Sequence, residues 1–372
     1  MIVGVPKESK VGEYRVSLVP ESVRELSKRG HRVLVERDAG EGIRAPDAAY
    51  VEVGAEVVAS AAEVFEPADL IVKVKEPQPE EIVMLRPGQG LFTYLHLAPD
   101  VAQTDGLLAS QCTAIAYETV TDSHGSLPLL TPMSEIAGRL SVTAGARCLQ
   151  RAAGGAGILL SGVPGTPPAN VVVIGAGTVG TEAVRMAVGL LADVTVLDTS
   201  LRALRRIADQ FENRVKALRA TDDVTRACVR AADLVIGAVL VAGDEAPKLV
   251  DAETVREMRR GSAIVDVAID QGGCFETSRP TTHTEPTYLV DGVVHYCVAN
   301  MPGCVPRTAS YALNHATLDF VVALADRGVD GALRADSHLL NGLNVIGGKL
   351  THPNVAHAQQ REYSDPREIL GI

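Results

Sequence analysis

Polar residues that end or interrupt apolar runs mark where chemistry could sit in this chain. Arg15 follows the apolar opening Ile2–Val5, within KESKVGEYR. Lys75 ends LIVKVK and is followed by Glu76 and Pro77. His96 lies in GLFTYLHLAPD, read as one strand with Phe92, Tyr94 and His96 on the same face. Asp270 closes IVDVAID and opens the loop Gln271-Gly272-Gly273. Singly, each has an ordinary structural reading: a surface arginine, a solvated lysine–glutamate pair, a satisfied core histidine, a turn-forming aspartate. As a set they do more. A guanidinium grips a carboxylate by two parallel hydrogen bonds, and an ammonium adds a second positive charge. A histidine and a carboxylate can move protons near neutral pH. Together they suit a small amino or oxo acid. Gly125-Ser126 lacks the nucleophile-elbow pattern, and no HExxH occurs.

A second constellation occupies VVVIGAGTVGTEAVRMAVGLLADVTVLD. The β-branched run Val171–Ile174 reads as a buried parallel strand. It passes into a helix through Gly175-x-Gly177-x-x-Gly180. The first glycine allows a tight turn and the second a close approach of pyrophosphate to the backbone. The third allows close helix–strand packing, with the helix N-terminus facing the phosphates. Val179, Ala183, Met186, Ala187 and Leu190 recur at helical spacing. A second strand, Val194–Leu197, ends at Asp198, where a carboxylate meets an adenosine ribose. Glycines, helix, strand and terminal acid in one unit point to a dinucleotide, with the nicotinamide near Asp270.

The elements that must position these groups belong to two α/β regions. Past Asp198, a helix is predicted through Leu201, Leu204, Ile207 and Phe211. Further strands are predicted at Val215–Leu218, Asp233–Val239, Ser262–Ala268 and His295–Val298. About six strands with helices between them suit one doubly wound parallel sheet. Residues 1–130 read separately, with strands at Ile2–Val5, His31–Glu36, Leu70–Lys75 and Leu91–Leu97 and a helix between Pro20 and Gly30. The helical text Tyr311–Asp326 cannot extend the nucleotide sheet and is expected to pack back on the first region. The expectation is therefore α/β, two Rossmann-like domains with doubly wound parallel sheets and a cleft between them. Residues 1–130 plus 305–372 form a discontinuous substrate domain, and 131–304 the dinucleotide domain.

Composition narrows the function classes. A formal charge of −11 disfavours nucleic-acid and anionic-membrane surfaces, and 3% aromatic residues leave few stacking platforms. No apolar stretch is long enough to span a bilayer, and MIVGVPKESK reads as a strand start rather than a signal core, so a cytoplasmic location is expected. The 6 cysteines form no CxxC pair and no Cys/His cluster of zinc spacing, so reduced thiols and no metal are expected.

Long dispersed stretches carry a further signal: GVPKE with EYRV, VKVKEP, LFTYLHLA, AYETV, LPLLTPMSEIAGR, VVVIGAGTVG, ADLVIGAVLV, VDVAIDQGGCFETSRPTTH and YCVANMPGCVPRTASYAL. Over nearly its whole length the chain resembles the alanine dehydrogenase and transhydrogenase nucleotide-binding subunit family. The resemblance implies an NAD-dependent, reversible oxidative deamination of L-alanine to pyruvate and ammonia by a homohexamer. It implies that Arg15 and Lys75 bind the substrate carboxylate and carbonyl and that His96 and Asp270 are the acid/base residues. Ser134 is implied near the pyrophosphate, Gly175, Gly177, Thr178, Val179 and Gly180 in the phosphate turn, and Asp198 on the ribose. Val239, Leu240, Val267, Ala268, Ile269, Asp270, Val298, Ala299, Asn300 and Met301 are implied to line the cofactor site, with Arg279 close by. Family members carry a basic residue at position 203 and a hydroxyl at 220; here these are Ala203 and Ala220, with Arg202 adjacent to the former. The competing readings are a lysine or saccharopine type of dehydrogenase, a transhydrogenase subunit, and a dinucleotide-binding protein without catalysis.

Overall fold

Val171 and Val173 pack into one apolar cluster and Val172 and Ile174 into another, so this strand is buried on both faces. That is what an uninterrupted β-branched run requires, and helices on both sides of a sheet supply it. The computed structural model describes residues 1–239 and 246–372. The described chain divides into two units, Met1–Met133 with Gly303–Ile372, and Ser134–Pro302.

In the first unit the strands are β1 (Ile2–Val5), β2 (Arg32–Glu36), β3 (Glu56–Val58), β4 (Leu70–Val72), β5 (Gly90–Thr93) and β6 (Thr113–Ala116). Late in the chain β14 (Leu343–Ile346) and β15 (Lys349–Leu350) join them. Among the described residues these form an 8-stranded sheet in the order β15-β14-β6-β5-β4-β1-β2-β3. β1 to β6 pair in parallel. The strand order reverses between β1 and β4, the position at which open α/β sheets receive ligands. There Ser17 Oγ donates to the Val72 carbonyl at 2.6 Å. The helix Pro306–Arg327 holds the same loop: the Val16 N–H donates to Ser310 Oγ at 3.0 Å and the Val19 N–H to Asn314 Oδ1 at 2.8 Å.

The second unit contains β7 (Asn170–Ile174), β8 (Asp193–Asp198), β9 (Lys216–Arg219), β10 (Leu234–Gly237), β11 (Ala263–Asp266), β12 (Thr287–Val290) and β13 (Val293–Tyr296). Their 7-stranded order is β12-β13-β11-β10-β7-β8-β9. Without β12 this is the dinucleotide-fold order, with its reversal between β7 and β10.

The structure departs from the sequence expectation in two ways. Both sheets are parallel in their bodies but carry antiparallel edges: β12 on β13, β14 on β6, and β15 on β14. Both added hairpins close on two-residue turns with positive φ, Asp291-Gly292 and Gly347-Gly348, which match the twist of antiparallel partners. Several strands are also shorter than read. The runs Leu70–Lys75 and Leu91–Leu97 leave the sheet after Val72 and Thr93, and Ser262–Ala268 leaves after Asp266 into a 3₁₀ turn, Val267–Gln271. Lys75 and Asp270 therefore stand beyond their strand ends. His96 shares no strand face with Phe92; it takes φ +50° in the chain beyond β5. Among the described residues no helix is long and apolar enough to cross a membrane.

Candidate active site

The first unit gathers cations at the reversal of its sheet. Arg15 is 2% exposed and makes a side-on, two-pronged contact with Glu13: Nε donates to Oε1 at 2.6 Å and Nη2 to Oε2 at 2.5 Å. Its Nη1 lies 3.0 Å from the Met133 sulfur. Burial alone would lower the guanidinium pKa, but the Glu13 hydrogen bond and charge raise it. Lys75 is largely buried, with Nζ 4.0 Å from Glu76, and Glu76 also pairs with Lys10. Beneath this group lies an ion triad. Lys73 Nζ is 2.8 Å from Glu81 and 3.3 Å from Glu8. Glu8 in turn accepts the backbone N–H groups of Val74 at 2.7 Å and Lys75 at 3.3 Å. Burial pushes the Glu8 carboxyl up while Lys73 pulls it down. The triad thus anchors the segment that presents Lys75.

His96 stacks on Tyr94, with ring centroids 5.8 Å apart and planes 9° off parallel. Its pKa is pushed down to about 3 by desolvation and then by the charges of Lys75, Lys10 and Arg15. The ring, 44% open to solvent, is therefore neutral at neutral pH. Tyr94 donates to the Leu129 carbonyl at 2.5 Å. Tyr94 and Met133, both buried, are the bulky side chains of this group.

Sequence reasoning missed Glu13, Lys73 and Glu118. Hydrophobic patterning cannot signal a buried charge, because the pattern assigns charged residues to the surface. Glu13, Lys73 and Glu118 nevertheless fall in the stretches EYRV, VKVKEP and AYETV that carried the resemblance.

The second unit builds its glycine turn as the spacing requires. Gly175 takes φ +105° beside the Ala238 carbonyl, and a Cβ at Gly180 would stand 1.8 Å from the Gly175 oxygen. A Cβ at Gly177 would meet nothing within 4 Å, so that backbone is open to a ligand. Gly177 caps the helix Thr178–Gly189 with no side-chain hydrogen bond to its first turn, which leaves N–H groups for a phosphate. Thr178 is exposed and Val179 half-buried. Asp198 ends β8, and its carboxylate accepts the N–H groups of Ala176 and Ser200, each at 2.7 Å. The adjoining Ala220 N–H donates to the Asp198 carbonyl at 2.9 Å. A basic residue does reach this turn, but it is Arg206, whose Nη2 donates to the Ala176 carbonyl at 2.5 Å.

Around the other strand ends, Asp266 is fully buried and caps the 3₁₀ turn that carries Val267, Ala268, Ile269 and Asp270. It also accepts Ser278 Oγ at 2.6 Å and the Cys274 N–H at 2.9 Å. Asp270 is exposed, and its Oδ1 accepts the Asn300 N–H at 3.2 Å. Val298 and Met301 are packed in the core of this unit, while Ala299 and Asn300 are half-buried. Arg279 lies over the Tyr288 ring at 4.1 Å. Ser134 is half-buried in the first turn of the helix Thr131–Cys148, and Val239 is half-buried after β10. Leu240 lies outside the described residues. Cys274 is fully buried, and burial and then Asp266 push its thiol well above the ordinary range, which favours the protonated form.

A strand order used twice, once with an open glycine cradle and an acid-ended second strand, defines a two-unit protein of the Rossmann-like nucleotide-binding class. Comparisons place it further. The family described as "Alanine dehydrogenase/PNT" matches with its N-terminal domain over residues 4–137 and its C-terminal domain over 141–353. The alanine dehydrogenase of Halomonas elongata is 56% identical over 371 residues, 100% of each chain, and that of Mycolicibacterium smegmatis 50% identical over 370 residues, again 100% of each. A solved L-alanine dehydrogenase superposes with a TM-score of 0.93 at 52% identity, covering 97% of this chain and 99% of the other. A transhydrogenase from Sinorhizobium meliloti superposes at 0.81 with 27% identity, covering 95% and 99%. The chain belongs to the alanine dehydrogenase/PNT family.

Proposed function

We propose that this chain is an L-alanine dehydrogenase, an oxidoreductase that converts L-alanine to pyruvate and ammonia, reversibly, with NAD. The observation that carries this reading is end-to-end similarity to proteins of that name, at 56% and 50% identity. The cation group around Arg15 supports it independently. The domain reading follows: 1–130 with 305–372 binds the substrate, and 131–304 the dinucleotide. A cytoplasmic homohexamer completes the proposal, on the strength of the resemblance.

The second unit fits a nicotinamide dinucleotide. Gly175, Gly177, Thr178, Val179 and Gly180 would cradle its pyrophosphate with Ser134 nearby, and Asp198 would take the ribose. Val239, Leu240, Val267, Ala268, Ile269, Arg279, Val298, Ala299, Asn300 and Met301 would complete the site, Val298 and Met301 through their backbone. Asp198 favours NAD, because its charge repels the 2′-phosphate of NADP. When bound, the nicotinamide supplies the hydride acceptor.

This chain's own groups do the rest. Arg15 and Lys75 hold the alanine carboxylate and steady the carbonyl of pyruvate. The substrate amine must be neutral before its carbon can lose hydride. The iminium that remains adds water, with a proton taken by His96 or Asp270, and the carbinolamine collapses to pyruvate and ammonia. His96 is held neutral by burial and then by the nearby cations, so a proton it takes is held weakly and is readily passed on. Tyr94 and Met133 limit the substrate to a small side chain.

Initial rates with a panel of L-amino acids and both NAD and NADP test the reading. L-Alanine with NAD is expected well above L-lysine, L-glutamate and D-alanine. A higher kcat/KM for any long-chain amino acid, or equal use of NADP, would overturn it.

A further inference from the structure

Glu118 is tied to His96 through both its backbone and its ring. It stands in the short turn Tyr117–Thr119 just beyond β6, with 16% of its side chain exposed. Its carboxylate accepts the His96 N–H at 2.6 Å, and each of its oxygens lies 3.2 Å from the Leu95 N–H. These contacts hold the backbone where His96 adopts φ +50°, a conformation that costs free energy in a non-glycine residue and persists only when its surroundings enforce it. The same carboxylate faces the His96 ring, with Oε1 3.9 Å from Nδ1. That is too long for a hydrogen bond but well within the range at which a carboxylate steadies an imidazolium.

We propose that Glu118 is a positioning residue that acts through His96: it locks the left-handed turn that aims the imidazole and stabilises the ring while it carries a proton. This rests on the reading of His96 as a proton carrier. With its charge on the Nδ1 side of the ring, Glu118 favours a proton there and leaves the Nε2 lone pair to the substrate. A carboxylate 3.9 Å from Nδ1 stands against Lys75, Lys10 and Arg15, all of which disfavour the protonated ring. A histidine held neutral by three cations needs one fixed anion if it is to accept a proton and pass it on. Burial leaves the Glu118 carboxyl above the ordinary carboxylate range, with the backbone hydrogen bonds of His96, Glu118 and Leu95 and the Lys75 charge offsetting part of that rise.

The test is Glu118→Gln and Glu118→Ala, each in the unaltered full-length protein and in a His96→Ala background. Gln keeps an oxygen for the Leu95 and His96 N–H groups but lacks the charge, so the fold survives. Glu118→Gln is expected to lower kcat by about tenfold to a hundredfold, less than the ~10²–10⁴-fold typical of losing the proton carrier itself. KM for pyruvate should stay within about twofold. Glu118→Ala should lose more, and neither change should lower kcat further once His96 is gone. An impaired His96→Ala protein on which Glu118→Gln still costs the same factor overturns the positioning role alone. A His96→Ala protein with near-normal turnover overturns the role of His96 and, with it, that of Glu118. Unaltered kcat in Glu118→Gln also overturns the proposal.

Discussion

Arg15 shows how much of a functional side chain depends on its neighbours. Its plane is set by the two-pronged contact with Glu13, and both side chains are almost wholly buried, at 2% and 0% exposed. A buried pair of this kind contributes little net stability but fixes geometry, and removing the fork leaves a buried carboxylate poorly matched. Arg15→Lys keeps the charge but cannot reproduce contacts from Nε and Nη2 together. KM for pyruvate is expected to rise by about tenfold or more, equivalent to ~1.4 kcal/mol or more of lost binding. The dissociation constant for NADH, read by fluorescence, should hold. An unchanged KM would place Arg15 outside the substrate's reach. At this scale Lys75, His96 and Asp270 stood out as candidates because each ends or interrupts an apolar run, and Arg15 because it follows one. Glu13 and Lys73 did not, because patterning assigns charged residues to the surface and sequence spacing does not show that Glu13 turns onto Arg15 or that Lys73 bridges Glu81 and the distant Glu8. Arg206 was hidden for another reason: helical spacing gives the side on which an arginine lies, not which carbonyl it reaches.

The elements around the glycine turn separate two demands that the motif superimposes. Gly180 serves packing, since a Cβ there would collide with the Gly175 oxygen at 1.8 Å. Gly177 serves the ligand: its φ of −73° suits any residue, and a Cβ would enter open space. The two alanine substitutions should therefore fail differently. Gly180→Ala is expected to destabilise by at least the ~1–3 kcal/mol typical of an overpacked core, visible as a lower Tm or lost soluble yield. Gly177→Ala should leave Tm unchanged and weaken NADH binding. A Gly177→Ala protein that binds NADH normally would show that the cradle is not used. The strand and helix of this motif were readable because one element period follows another without interruption. The antiparallel edges were signalled by two-residue turns, Asp291-Gly292 between Val290 and Val293 and Gly347-Gly348 between Ile346 and Lys349. They went unread because a run as short as β15 shows too little alternation to distinguish strand from coil. Strand ends were overestimated at His96 because apolar residues continue past Thr93 as buried loop, and Leu95 and Leu97 keep the apolar pattern without the ladder.

At the scale of the molecule, one strand order occurs in both units, and the first unit is completed by the end of the chain. β14 pairs with β6 across more than half the sequence, and the Ala116 N–H donates to the Gly342 carbonyl at 2.7 Å. Val345, Leu350, Val355 and Ala356 belong to the same apolar cluster as Leu91, Leu107 and Ala114. The doubled order follows from strands alternating with helices. The final hairpin does not, because its role is defined by which edge it covers rather than by its own composition. Ending the chain at Asn341 would remove β14 and β15, expose the apolar face of β6 and leave its backbone groups as an open edge. Burial of the order of three large aliphatic side chains is then lost, at ~1.5–3 kcal/mol each, which is comparable to the ~5–15 kcal/mol stability of a whole domain. The truncated protein is expected to aggregate or to lack a cooperative unfolding transition. Val345→Asp in the full-length chain should reproduce much of the loss with the hairpin's length intact, since it places a charge in that core. Because unit 2 draws no strand from the tail, its glycine turn should remain folded in any soluble fraction and retain protection of the Val171–Ile174 amides in hydrogen exchange. A truncated chain that melts cooperatively at the full-length Tm would show that the hairpin merely decorates the sheet.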